Sequence, residues 1–276
     1  VYAGDPRQLS MRAVFPDLKA GVDASGSILR WGMSRMRGAR GGERRAAELF
    51  SFRRGLAHWP KTIAARLGTD RIWTGHKILA ARPDEGGWVL RLKVDGEVRK
   101  VMCRTLVLTI PASQAAKVLK DARRSATHAL KDIPYAPVST VHLAYRRESV
   151  THPLDGFGFL VPSAEERKVL GVLWISSLFP ERVADGRVLL TTFVGGARDP
   201  ERAFAPEGRL IDIAYREHRR FLGASTPPVF AHVERWKKAI PQYEFGHLDR
   251  VAAAAQLEEE NPGLYLSGAY RDGVSV

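Results

Sequence analysis

The apolar period of this chain changes at residue 72. Before it, apolar residues recur at helical spacing: Leu9, Ala13 and Val14 run up to Pro16, and Leu29, Met33 and Met36 form a second stripe. Leu56, Ile63 and Leu67 mark a helix over 55–67 that Gly68 ends. From 72 the pattern alternates, over 72–81, 88–94 and 97–102, with turn signals at Glu85-Gly86-Gly87 and Asp95-Gly96. The Asp-Gly pair predicts a tight hairpin. One chain must therefore bury both helix stripes and strand faces, which makes it α+β or mixed α/β.

Further along, a strand over 105–110 closes at Pro111 and a short helix follows over 112–119. Strands are expected near 139–147, 157–161, 169–176, 187–195, 229–236 and 264–266, with helices over 208–222 and 246–260. Strands and helices do not alternate regularly, so two sheets built from interleaved segments are expected. The 276 residues suffice for one large domain or two ordinary ones, and the balance of 45% apolar to 26% charged residues excludes wholesale disorder. No leader-like head opens the chain, and apolar stretches such as 105–116 are too short to span a membrane. The chain starts without Met and stops just after a short strand, and it reads as a piece of something longer.

Charge is concentrated in kind and in place. Of the 43 basic residues 32 are Arg, and eight of these fall between Arg30 and Arg54 against only Glu43 and Glu48. Such a segment suits an anionic lipid, a nucleic acid or an acidic substrate, or it is a solvated surface with a loop at 38–42. No recognition-helix or RNP-type motif accompanies it, so nucleic acid is not expected as a partner.

Ready-made catalytic devices are missing. Gly156-Phe157-Gly158 begins a dinucleotide fingerprint but continues Phe159-Leu160-Val161, and no phosphate loop or nucleophile elbow occurs. The eight histidines have no partners at metal-ligand spacing, so no metal site is expected. Cys103 reads as an inert thiol and Glu258-Glu259-Glu260 as a solvated face. What stands out is a set of apolar strands interrupted by glycine, at 156–162, 170–174 and 190–196. Glycines in strands mark bulges or a close ligand approach, and several such strands make a wall for a large flat apolar ligand or an ordinary bulged sheet. A Gly-rich turn after the strand at 264–266 can bring backbone N–H groups to a phosphate or a flavin edge.

Together these segments resemble the oxygen-dependent protoporphyrinogen oxidase family, whose members contain FAD. The resemblance rests on Val1-Tyr2-Ala3-Gly4-Asp5-Pro6, Leu9-Ser10-Met11, Phe50-Ser51-Phe52-Arg53 with Gly55-Leu56 and Pro60, and Ile133-Pro134-Tyr135-Ala136-Pro137-Val138. It continues through Pro153-Leu154-Asp155-Gly156-Phe157-Gly158, Ser176-Ser177-Leu178-Phe179-Pro180, Gly195-Gly196-Ala197-Arg198, Ala239-Ile240-Pro241-Gln242-Tyr243 with Gly246-His247, and Gly273-Val274-Ser275-Val276. It covers nearly the whole chain in order, but the family's upstream Gly-rich FAD motif and its substrate-propionate arginine are not in this sequence.

The resemblance implies FAD as cofactor, with Ile78 near the adenosine part and Ala269, Val274, Ser275 and Val276 along the flavin. It implies a porphyrinogen cavity lined by Phe157, Gly158, Leu160, Leu173 and Phe193, with oxygen as electron acceptor. It implies no catalytic side-chain dyad. Residues 1–50 would end a helical membrane-contacting domain, 51–120 and 241–276 would be parts of a truncated FAD-binding domain, and 121–240 would form the substrate domain. Leu29, Met33 and Met36, with the Arg30 to Arg54 segment, would suit an interfacial helix. The expected activity is oxidation of protoporphyrinogen IX to protoporphyrin IX in haem biosynthesis. Coproporphyrinogen III oxidation or another flavin amine-oxidase-like reaction are the alternatives, and an Arg-rich nucleic-acid module the remote one. A cytoplasmic location, peripheral on the inner face of the cell membrane, is expected, and a homodimer is left open. The 276 residues alone are expected neither to hold FAD tightly nor to turn over.

Overall fold

A computed structural model describes residues 2–38, 50–120 and 124–273. In chain order the helices are α1 (Met11–Val14), α2 (Pro16–Ser25), α3 (Ile28–Gly38), α4 (His58–Leu67), α5 (Ala112–Val118), α6 (Arg124–Lys131), α7 (Ile175–Leu178), α8 (Glu207–Leu222), α9 (His247–Glu260) and α10 (Ala269–Asp272). The strands are β1 (Lys77–Asp84), β2 (Gly87–Val94), β3 (Glu97–Cys103), β4 (Leu106–Leu108), β5 (Tyr135–Arg146), β6 (Gly158–Leu160), β7 (Gly171–Trp174), β8 (Arg187–Gly195), β9 (Phe230–Pro241) and β10 (Leu264–Leu266). Helices and strands are mixed, as the two periods require. They divide into two compact units, each assembled from separate stretches of chain.

One unit comprises residues 1–4, 49–72 and 135–240. Its five-stranded sheet has the order β6-β7-β8-β5-β9. One face packs beneath α8, whose Leu210, Ile213, Ala214, Glu217, His218 and Leu222 are buried at helical spacing. They meet Val141, Leu143, Tyr145, Val172, Leu190 and Val194 from the strands. Gly223, in a left-handed conformation (φ 64°), ends the helix.

The other unit comprises residues 5–48, 73–134 and 241–276. It holds the antiparallel meander β1-β2-β3 and a two-stranded parallel sheet, β10-β4. Asp95 (φ 49°) and Gly96 (φ 89°) both adopt the left-handed conformation, as an Asp-Gly hairpin turn demands. In the parallel pair Leu106 faces Leu264 and Leu108 faces Leu266, all buried. Val107 and Tyr265, also paired, are 55% and 54% exposed. Parallel sheets ordinarily have both faces covered, so this pair has one bare apolar face.

Several expectations are corrected. There are three sheets rather than two among the described residues. The first meander strand starts at Lys77, not at 72, because a 3-10 turn (Thr69–Arg71) and Gly75 (φ 73°) break the run. Pro16 does not merely end a helix; it begins α2 at the first helical position, where a missing N–H costs nothing. Glu258 is not a solvated residue, since it is largely buried and ion-paired with Arg271. The loop expected at 38–42 lies, beyond Gly38 at the end of α3, outside the described residues. The same holds for Val274, Ser275 and Val276.

Candidate active site

The sheet face opposite α8 is defined by cross-strand register. Directly paired residues of antiparallel strands share a face. One row runs Gly158, Leu173, Thr191 and His142; the next runs Leu160, Gly171, Phe193 and Thr140. The intervening row, Phe159, Val172, Thr192 and Val141, is the one that enters the core. Four of the five expected cavity residues, Gly158, Leu160, Leu173 and Phe193, are therefore brought to one face. The fifth, Phe157, precedes β6 and is exposed, and its carbonyl accepts a hydrogen bond from the Trp174 amide at 3.0 Å.

Two glycines form the floor of this face. Gly158 has a φ of 140°, and a Cβ there would lie 2.1 Å from the Val172 carbonyl oxygen. A Cβ on Gly171 would lie 2.6 Å from the Phe159 carbonyl oxygen. The strands approach too closely here for any side chain, leaving an apolar wall made by Leu160, Leu173 and Phe193.

His142, which sequence reasoning passed over with the other histidines, sits in the same face. Its Nδ1 is 2.8 Å from Oγ1 of Thr191 and its Nε2 is 3.1 Å from Oγ1 of Thr140. Its ring stacks on His232 with centroids 6.0 Å apart. Burial, then the neighbouring His232, push its pKa down, opposed by Glu234. A neutral imidazole with both nitrogens engaged by hydroxyls is an ordering element at this end of the wall. The alternation Thr140-Val141-His142 was the sequence signal that could have placed it.

The second candidate region follows β10. Leu266 and Leu108 end two parallel strands side by side, and ligands of such sheets bind beyond the carboxyl ends of the strands. The chain turns there through Gly268 (φ 155°) into α10 and Gly273 (φ 125°). Ala269 is the first residue of α10, whereas Ile78 lies in the meander opposite Leu92. A small residue in a glycine-flanked turn at the end of a parallel strand leaves room beside the backbone for the edge of a flat ligand. Ile78 is half-buried on a different sheet.

Sequence motifs far apart in the chain converge within each unit. The amide of Ala197 donates to the Ala3 carbonyl at 2.8 Å, and a Cβ on Gly196 would lie 2.7 Å from that oxygen. Arg182 donates to Ser51 Oγ at 2.5 Å and to the Phe52 carbonyl at 3.2 Å, joining 50–53 to the segment after Ser176-Ser177. In the other unit the Ser10 amide donates to the Tyr243 carbonyl at 2.7 Å.

Among the described residues no cluster of three or more metal-ligating side chains occurs. No helix there is long and apolar enough to cross a membrane. On α3, Ile28, Leu29, Met33 and Met36 are exposed, Leu29 at 75%, with Arg35 over the Trp31 ring at 5.1 Å.

Known proteins bear on this arrangement. The family described as flavin containing amine oxidoreductase matches residues 1–275. The chloroplastic protoporphyrinogen oxidase of Nicotiana tabacum is 32% identical over 296 residues, covering 100% of this chain and 54% of that protein. The coproporphyrinogen III oxidase of Bacillus subtilis (strain 168) is 25% identical over 281 residues, covering 100% of this chain and 58% of that protein. The chain thus spans little more than half the length of the curated relatives it matches. A crystal structure of a protein from Exiguobacterium sp. 255-15 shares the fold with a TM-score of 0.78 at 24% identity, over 99% of this chain and 57% of that one. On the match over almost its entire length, this chain belongs to the flavin containing amine oxidoreductase family.

Proposed function

We propose that the chain is part of an FAD-dependent oxidase that converts protoporphyrinogen IX to protoporphyrin IX with oxygen as acceptor. The observation that carries this reading is the open sheet face, where two glycines leave a flat floor beneath Leu160, Leu173 and Phe193. The 32% identity to a protoporphyrinogen oxidase over the whole chain supports it. Removal of six hydrogens from the macrocycle amounts to three two-electron oxidations, each matched by one oxygen reduced to peroxide. FAD, when bound, would accept each hydride and pass the electrons to oxygen.

The residues of this chain bind, orient and exclude water. Leu160, Leu173 and Phe193 present apolar area to one side of the macrocycle. Ala269, with Val274, Ser275 and Val276, would lie along the flavin, and Ile78 would lie near its adenosine part. Proton loss by imine–enamine tautomerisation of the macrocycle needs no side-chain acid–base dyad. The stretches 51–120 and 241–276 would serve the FAD-binding domain, 121–240 the substrate domain and 1–50 a helical domain at the membrane. The exposed stripe Leu29, Met33 and Met36 beside Arg30 and Arg35 supports peripheral contact with anionic lipid, on the inner face of the cell membrane. Coproporphyrinogen III is the second reading, favoured by the weaker likeness to the Bacillus subtilis enzyme.

The purified full-length protein that carries this chain should show flavin absorption and, given anaerobically prepared protoporphyrinogen, release fluorescent porphyrin with three peroxides per macrocycle once oxygen is admitted. A higher kcat/KM for coproporphyrinogen would transfer the assignment to that substrate. Absence of flavin, or of any oxidation above the spontaneous rate, would refute the reading.

A further inference from the structure

The turn after β10 is held by side chains from elsewhere in its unit. Tyr243 lies in the segment between β9 and α9 and is buried. Its hydroxyl donates to the carbonyl of Ala269 at 2.5 Å and accepts from the amide of Gly273 at 3.0 Å. One side-chain oxygen therefore bridges the first residue of α10 and the residue that follows it. The Tyr243 ring is seated on His247, the first residue of α9, with centroids 3.9 Å apart and planes 17° from parallel.

A second clamp grips the other side of the turn. The Glu258 carboxylate accepts from the Leu266 amide at 2.5 Å and from the Arg271 guanidinium at 2.5 Å. Arg271 in turn donates to the Leu266 carbonyl at 2.9 Å. β10 and α10 are thus locked to each other and both to α9.

The need for two clamps follows from the backbone. Gly268 and Gly273 adopt conformations that no local preference enforces, and a four-residue helix is far too short to persist by itself. Held from outside, the turn can present a fixed edge; released, it would sample many. A buried tyrosine whose hydroxyl bonds two backbone groups of one turn is placed to set that turn's shape.

We propose that Tyr243 is a positioning residue for the flavin, its hydroxyl fixing the 269–273 turn, with Glu258 and Arg271 as the second clamp. The proposal rests on the reading that this turn lies along the flavin. The role proposed for Tyr243 is indirect. It acts through the backbone of Ala269 and Gly273.

The test uses the full-length FAD-loaded protein and the substitution Tyr243→Phe, which keeps the ring on His247 and removes the hydroxyl that makes both hydrogen bonds. The expected result is flavin affinity weakened about tenfold, with a displaced visible flavin band and unchanged far-ultraviolet circular dichroism. Glu258→Gln, which retains an acceptor for the Leu266 amide but loses the charge pairing with Arg271, should shift both readouts in the same direction by less. It decides the matter should Tyr243→Phe fail to fold. Thr192→Val, a destabilising change in the other unit's core, should leave the flavin band where it is.

Wild-type affinity and spectrum in the folded variants would overturn the proposal. So would a fall in melting temperature with flavin properties intact, which would make the clamp purely structural. A full-length wild-type protein that takes up no flavin would overturn the underlying reading as well, so the two failures are distinguishable.

Discussion

The hydroxyl of Tyr145 lies 2.9 Å from Nδ1 of His218, inside the core that α8 and the five-stranded sheet share. The opposite ring nitrogen, Nε2, is 2.7 Å from Oγ1 of Thr192. All three residues are buried, and burial pushes the Tyr145 pKa well up and the His218 pKa down to about 3. Either hydroxyl can donate or accept, so burial rather than hydrogen bonding keeps this imidazole neutral, and the chain of strand hydroxyl, helix imidazole and strand hydroxyl couples sheet to helix by geometry rather than charge.

Acid should therefore weaken the fold through His218. An unfolded histidine takes up its proton near 6.5, whereas the folded one resists until about 3. Above 6.5 both states are neutral and nothing is lost. Between the two values the unfolded state alone binds the proton, so stability falls as pH drops, by about 1.4 kcal/mol per pH unit for each such proton. His247, held down to about 4 by burial and then by Arg250, adds in the same direction in the other unit. Urea unfolding at pH 7, 6 and 5 measures this slope. His218→Gln should remove about one proton's share of it, and an unchanged slope would count against the assignment.

Arg167 grips Glu217 with two nitrogens, Nε at 3.1 Å and Nη2 at 2.7 Å, and Glu217 is only 5% exposed. The guanidinium also lies 5.8 Å from the Phe221 ring centroid. Arg167→Ala would strand a buried carboxylate. Because Arg167 itself is partly solvated, the expected loss is about 2–3 kcal/mol, below that of a fully buried pair. Arg167→Lys keeps the charge without the fork and should recover part of it. Equal urea midpoints for wild type and Arg167→Ala would show that water replaces the pair.

Local order was readable where periodicity or turn chemistry dictates it. Asp95-Gly96 specified its hairpin, and the stripe from Leu210 to Leu222 specified α8 with its buried face. The wall was half readable. Glycines at 158 and 171 announced close strands, but only cross-strand register shows that Leu160 and Phe193 share a row through Gly171. Tyr243 was legible as part of a motif, yet its bonds to Ala269 and Gly273 span about thirty residues and leave no local pattern. Glu258 misled because an acidic run at a helix end ordinarily faces water, whereas here Arg271 returns to meet it.

Phe193 stands beside the bare backbone of Gly171 and is half-buried on the open face. If the macrocycle lies on this wall, Phe193→Ala withdraws aromatic area that only bound substrate covers. Losing roughly 1–2 kcal/mol of contact would lower kcat/KM about tenfold while leaving flavin content unchanged. Gly158→Ala should do more, because its Cβ would strike the Val172 carbonyl and force β6 from β7. Steady-state kinetics with porphyrinogen decide this, and normal kcat/KM in both variants would move the substrate elsewhere.

The stripe Leu29, Met33 and Met36 repeats at i, i+4 and i+7 on α3, and all three side chains are exposed beside Arg30 and Arg35. An interfacial helix binds through apolar area inserted among the headgroups together with attraction to anionic lipid. Vesicles containing phosphatidylserine should therefore sediment the protein, while neutral vesicles should do so less. Raising salt should weaken only the electrostatic part, within a Debye length of about 8 Å at physiological ionic strength. Leu29→Glu with Met33→Glu sets two negative charges on the apolar stripe and should abolish sedimentation at low salt, with thermal stability nearly unchanged because neither side chain is buried. Sedimentation of this double variant at the wild-type level would show that α3 is not the contact.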